Sequence, residues 1–182
     1  MALSPQERAQ LIALAKGAVA AEVTGSPRPR VADPQGVLAE LRGCFVTLTN
    51  RGRLRGCIGT FSPAGPLGQM IVEMGTAAAQ DPRFVNNPIT PNELAQLTVE
   101  VSVLSPLTPT EHPEQLEVGV HGIYIVRGHR AGCFLPEVAT DQGWSAQEFL
   151  SQCCAGKAGL PPDAWQDAAT KVFLFTSEKF DQ

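Results

Sequence analysis

The sequence lacks a CxxC pair, a glycine-rich phosphate loop and a hydrolase signature. Its five cysteines, at positions 44, 57, 133, 153 and 154, are odd in number and irregularly spaced. That argues against a disulfide framework and against a structural zinc site. Positive charge is also scarce. Fourteen Lys and Arg stand against 18 Asp and Glu, a formal net charge of −4. A nucleic-acid partner is therefore not expected, because such binding needs concentrated positive charge. No uninterrupted apolar run approaches the length that spans a bilayer. Glu7, Arg8 and Lys16 interrupt the alanine-rich start and no cleavage pattern follows, so a secretory leader is not expected either. The expectation is a soluble cytoplasmic protein with no metal site and no cofactor that the residues can name.

What is present is enough apolar material for a sizeable core. With 43% hydrophobic and 18% charged residues over 182 positions, the chain suits one large domain or two lobes. Ser4-Pro5-Gln6-Glu7 is a helix start, with a capping serine, proline at the first helical position and a glutamate that reaches back. Leu11, Ile12, Leu14, Ala15 and Ala18 continue it at helical spacing. Leu67 to Gln80 predicts a second amphipathic helix, ended by Asp81-Pro82. Leu97 to Leu104 alternates cleanly as a strand, with Thr98, Glu100 and Ser102 on one face. The proline-rich stretch from Pro106 to Pro113 reads as a connection between lobes. A second hairpin is expected at His121–Val126 and Ala131–Leu135. Ser145-Ala146-Gln147-Glu148 opens another capped helix. Lys171 to Thr176 predicts a last strand, set beside Leu97–Leu104. Strands that arrive as hairpins, without βαβ repetition, favour an antiparallel α+β fold.

One stretch stands apart: Leu54-Arg55-Gly56-Cys57-Ile58-Gly59-Thr60. With Cys44–Thr49 before it and Asn50-Arg51-Gly52-Arg53 between, it reads as the second arm of a β-hairpin. A two-residue loop puts Val46 opposite Cys57 and Leu48 opposite Arg55; a three-residue loop exchanges the faces. In either register Arg55 and Cys57 share a face, roughly 7 Å apart along the strand. A cation lowers a thiol's pKa, so Arg55 would make Cys57 a better nucleophile. Gly56 and Gly59 would let a substrate or the other lobe come close, with backbone N–H groups free to stabilise negative charge. The simpler account has Cys57 packing as a small buried side chain and Arg55 pairing with Asp81 or Glu100.

The stretch closely resembles the AMMECR domain family, which in prokaryotes includes protein A of the AmmeMemoRadiSam system. The likeness continues through Ala79-Gln80-Asp81-Pro82-Arg83-Phe84, Val99–Leu104, Val120-His121-Gly122, Leu135-Pro136-Glu137-Val138-Ala139, Gly143-Trp144 and Lys157-Ala158-Gly159-Leu160. It covers nearly the whole chain in order. The resemblance implies an α+β fold of two unequal lobes, each an antiparallel sheet flanked by helices, with the Cys57 strand facing a cleft between them. The lobes expected are about 1–111 plus 169–182 and about 112–168. It also implies a Memo-like protein and a radical SAM protein as partners. The candidate catalytic residues are Cys57, Arg55 and His121, the last as acid or base. Gly56, Gly59, Thr60, Arg83 and Glu137 are the candidate binding residues. Glu137 departs from the glutamine common in the family, and Cys44 from a smaller or apolar residue. Two functions are carried forward: an enzyme or enzyme component, and a non-catalytic module that binds a protein or peptide.

Overall fold

A computed structural model describes residues 2–182. The first helix, α1 (Pro5–Thr24), opens on the expected capping box. The Ser4 hydroxyl accepts from the Glu7 N–H at 3.3 Å while the Glu7 carboxylate accepts from the Ser4 N–H at 2.8 Å. This satisfies two N–H groups that a helix start leaves open. Strands β1 (Cys44–Asn50) and β2 (Arg53–Thr60) form the hairpin, followed by α2 (Leu67–Ala79) and β3 (Leu97–Leu104). The chain then supplies β4 (Thr108–Thr110), β5 (Gly122–Arg127), β6 (Arg130–Phe134), α3 (Pro136–Gln142) and α4 (Ala146–Cys153). It closes with β7 (Lys171–Phe175) and β8 (Ser177–Asp181).

These elements make an α+β fold with two antiparallel four-stranded sheets, in the orders β2-β1-β3-β8 and β4-β7-β5-β6. The chain divides into a unit running through Leu104 and rejoined by Glu178–Gln182, and a unit of Ser105–Ser177. In the first, α1 and α2 cover one face of the sheet. Cys44, Val46 and Leu48 of β1 lie opposite Val103, Val101 and Val99 of β3, and all six are buried against the helices. The alternate residues Phe45, Thr47 and Thr49 share the other face with Ser102, Glu100 and Thr98. In the second unit α4 packs Phe149, Leu150 and Cys153 into a separate core with Ile123, Ile125 and Val172.

One strand sits where the sequence did not put it. Lys171–Phe175 joins the second sheet between β4 and β5, and the strand beside β3 is Ser177–Asp181. Ser177–Asp181 is short and polar, with Phe180 as its contribution to the core, so hydrophobic alternation carries almost no signal for it. The proline-rich connection also contains a strand, Thr108–Thr110. It is an edge strand, the position where Pro109 needs no ladder donor.

Candidate functional site

The first sheet ends at β2, and a bulge sets what that edge presents. Asn50 pairs with Arg53 and Thr49 with Leu54, the register of a two-residue turn at Arg51-Gly52. Beyond it the register slips by one, so that Leu48 faces Gly56, Thr47 faces Cys57 and Val46 faces Ile58. Arg55 has no partner on β1. An extra residue in one strand reverses the alternation on its far side. The expectation that Arg55 and Cys57 share a face is therefore corrected. Cys57 lies with Thr47 on the face away from the helices, while Arg55 is buried with 8% of its surface exposed.

Arg55 fastens the strand to the segment after α2. Its guanidinium holds the Glu93 carboxylate in a fork, Nε to Oε1 at 2.9 Å and Nη2 to Oε2 at 3.0 Å, and Nη2 also donates to the Pro88 carbonyl at 3.2 Å. Asn50 Nδ2 donates to the same carboxylate at 3.1 Å. Held chiefly by Arg55, the Glu93 carboxyl stays below the usual carboxylate range. Glu93 also completes a capping box with Thr90. The Thr-x-x-Glu spacing was the available signal for it.

The cation beside Cys57 is Arg83. In an antiparallel pair of the non-hydrogen-bonded kind, both backbone groups of a residue turn away from the partner strand. On an edge strand those groups are open to another chain. At Cys57 they are filled by side chains: its N–H donates to Asp81 Oδ2 at 2.9 Å and its carbonyl accepts from Arg83 Nη2 at 3.2 Å. Asp81 and Arg83 are themselves locked together, with Nη2 to Oδ2 at 2.5 Å and both the Arg83 N–H and Nε to Oδ1 at 3.0 Å. The side-chain bond from Arg83 holds the Asp81 carboxyl well below the carboxylate range. Burial opposes this, and the backbone donors of Cys57 and Arg83 reinforce it. The Asp81 bond raises the proton affinity of Arg83, with a smaller attraction from Cys57. Asp81-Pro82-Arg83 is thus a clamp on the main chain of Cys57.

The thiol is half-buried, and the Thr47 hydroxyl donates to its sulfur at 3.2 Å. Thr47 lies opposite Glu100 on its other side, and Glu100 Oε1 is 3.5 Å from Lys179 Nζ. Cys57, Thr47 and Glu100 form a row across three strands. At about 5 Å per cross-strand step, Glu100 stands roughly 10 Å from Cys57, beyond direct proton transfer. Among the described residues no group of three His, Cys, Asp or Glu is placed to hold a metal ion.

The two glycines admit the chain's own atoms. A Cβ on Gly56 would lie 2.0 Å from the Ala78 carbonyl oxygen, and one on Gly59 would lie 2.2 Å from the Phe45 ring. Thr60 closes the strand locally, its hydroxyl donating to the Ser62 carbonyl at 3.1 Å and accepting from the Ser62 N–H at 3.2 Å. His121 and Glu137 belong to the second unit. His121 Nδ1 accepts from the Glu117 N–H at 3.0 Å and so shapes a turn, and Glu137 lies in the first turn of α3. The sequence singled out neither Thr47 nor Glu93, and it missed the bond that the Cys57 N–H donates to Asp81.

A two-sheet α+β chain with a clamped thiol on an edge strand is the class of protein that the fold and site define. The family model of AMMECR1 matches residues 12–180. A protein of Methanothermobacter thermautotrophicus is 42% identical over 188 residues, covering 99% of this chain and 96% of its own. One of Thermococcus gammatolerans is 46% identical over 157 residues, covering 80% of this chain and 75% of its own. The crystal structure of an uncharacterised protein from Pyrococcus horikoshii is similar, with a TM-score of 0.80 and 38% identity over 94% of this chain and 89% of that one. The chain belongs to the AMMECR1 family.

Proposed function

We propose that this chain is an enzyme or enzyme component whose reactive group is the Cys57 thiol. The observation that carries this reading is the clamp. The sulfur takes a hydrogen bond from Thr47, and the main chain that carries it is held at the N–H by Asp81 and at the carbonyl by Arg83, so the thiol is fixed in place with a cation at hand. The chemistry is nucleophilic. Sulfur attacks an electrophilic carbon such as an acyl carbon, the leaving group departs with the proton that the thiol gives up, and water then releases the acyl group. Neither Thr47 nor Arg83 can take that proton, which is why the departing group carries it. Arg83, exposed and cationic, is suited to an anionic part of the substrate.

Alkylation of the folded protein tests the thiol directly. With iodoacetamide at neutral pH, mass spectrometry should find Cys57 modified first. Cys44 should stay unmodified, because burial pushes its thiol up to about 12. Cys153, shifted upward for the same reason, should also be silent. Modification of Cys57 no faster than that of Cys133 would remove the nucleophile reading.

A second reading is a docking module for the Memo-like and radical SAM partners that the resemblance implies. It is favoured by the exposure of Val85 (72%) and Leu54 (40%), the first just after the clamp and the second on β2. In cells that depend on the gene, Cys57→Ser should abolish function under the enzyme reading. Under the docking reading Cys57→Ser should be silent and Val85→Asp should not.

A further inference from the structure

The turn end of the β1–β2 hairpin opens into a polar pocket of ≈ 580 Å³ that does not include Cys57. Its lining contains Arg51, Arg53 and Arg55 with Glu93 as the one carboxylate, and three positive charges less one negative leave +2. The whole chain carries −4, so this is a local concentration of the rarer sign. Glu93 is already engaged by the Arg55 fork and by Asn50. Arg51 and Arg53 are the charges left over. Among the described residues no carboxylate pairs with either. Like charges held together without a counter-charge repel, and an anion relieves them.

The backbone adds an independent observation. Arg51 has φ +51°, and it is the one non-glycine with positive φ among the described residues. With Gly52 at φ +76°, it forms a two-residue hairpin turn with both residues left-handed, a geometry in which Asn or Gly is favoured at the first position. Arginine gains the turn nothing there. A residue kept at a conformational disadvantage points to a role outside the turn.

We infer that this pocket binds a small molecule through a dianionic phosphate ester group. Arg51 and Arg53 grip the phosphate, and the Asn87 and Gln96 amides stand ready for the rest of the ligand. Guanidinium forks match phosphate oxygens two at a time, and the surplus of +2 matches a dianion. The volume lies in the range of small-molecule sites, about 300–1,000 Å³.

The test is calorimetric titration of the full chain with glycerol 3-phosphate and inorganic phosphate, with succinate as the carboxylate control. Saturable binding of the phosphate ester that weakens with added salt is expected. Arg53→Gln and Arg51→Asn should each weaken it by about tenfold. Arg51→Asn is the decisive variant, because asparagine suits the left-handed position. It should melt no lower than the parent while binding less, which separates lost binding from lost folding. Cys57→Ser should bind as the parent does, so the pocket stands or falls apart from the thiol reading. Absence of saturable binding, unchanged affinity in both arginine variants, or preference for succinate would overturn the inference.

Discussion

Replacement of Gly56 by alanine is expected to destabilise the first unit by about 3 kcal/mol, the upper part of the usual range for overpacking. The added Cβ would stand 2.0 Å from the Ala78 carbonyl oxygen and 3.0 Å from the carbonyl carbon. Both are backbone atoms, so no rotamer change relieves the clash. Nor can α2 easily withdraw. Ala78 is fully buried, and its carbonyl accepts from the N–H of Gln80 and of Asp81 as the helix ends. Shifting that turn shifts Asp81, and with it the clamp on Cys57. The loss should appear as a lower urea midpoint at unchanged slope, and Cys57 alkylation should change with it. Gly59→Ala is the instructive comparison. Its nearest obstacle is the Phe45 ring, a side chain, although the Cys44 carbonyl at 2.5 Å also stands close. Phe45→Ala should therefore recover part of the Gly59→Ala loss, while no side-chain truncation should rescue Gly56→Ala. A Gly56→Ala chain with the parental midpoint would mean that β2 does not lie so close to α2.

Much of this architecture was legible because its signals are local. The Ser4 and Ser145 capping boxes, the span of β3 and the punctuation at Asp81-Pro82 are written within a few residues and appear as read. The α+β class followed from hairpins without crossover helices. The bulge was not legible. Leu54-Arg55-Gly56-Cys57-Ile58 alternates acceptably in either register. The extra residue is Arg55, and its partner Glu93 lies 38 positions away. A single inserted residue then turned Arg55 away from the face that carries Cys57. Strand spacing assigned the charge beside Cys57 to Arg55, its near neighbour in sequence. Tertiary structure gives it to Arg83, 26 positions on. The glycines misled for a related reason. Their small size announces a close approach without saying by what, and here Ala78 and Phe45 supply it. The pairing of Arg83 with Asp81, two residues apart, was open to a local reading, while the bonds from Thr47 to the Cys57 sulfur and from the Cys57 N–H to Asp81 join distant positions that no spacing encodes.

Asp81→Asn is expected to destabilise the protein by about 2–3 kcal/mol at neutral pH, and by much less in acid. Asparagine has one oxygen where Asp81 uses two, Oδ2 for the Cys57 N–H and Oδ1 for the Arg83 N–H that caps the turn, so it keeps one of these bonds and sets its amide NH2 against the other donor. Charge is lost as well. The Arg83 side chain is 57% exposed, so its ion pair with Asp81 is partly screened and worth only about 1 kcal/mol. The remainder comes from the backbone bonds to an ionised acceptor, each worth about 1.5–3 kcal/mol, of which one is weakened to a neutral bond and the other lost. Asp81 itself has a side chain only 1% exposed, so water does not compensate. The pH dependence follows from the direction of the shift. A carboxyl held below its unfolded value of about 4 contributes fully above that pH. The contribution is lost as pH falls below it, when the unfolded chain takes up the proton more readily. Parent and variant should therefore be furthest apart from pH 5 to 7, on the order of the full 2–3 kcal/mol, and should converge toward pH 2. Urea midpoints at both ends of that range measure the convergence, and a gap that stays constant would show that Asp81 acts through shape alone. The same variant bears on the site. With the carboxylate gone Arg83 loses its anchor, the Cys57 carbonyl loses a fixed donor, and the alkylation rate of Cys57 should differ from the parent's at pH 7. An unchanged rate alongside the lost stability would make the clamp a protection for the edge strand and nothing more, and the thiol reading would lose the observation on which it rests.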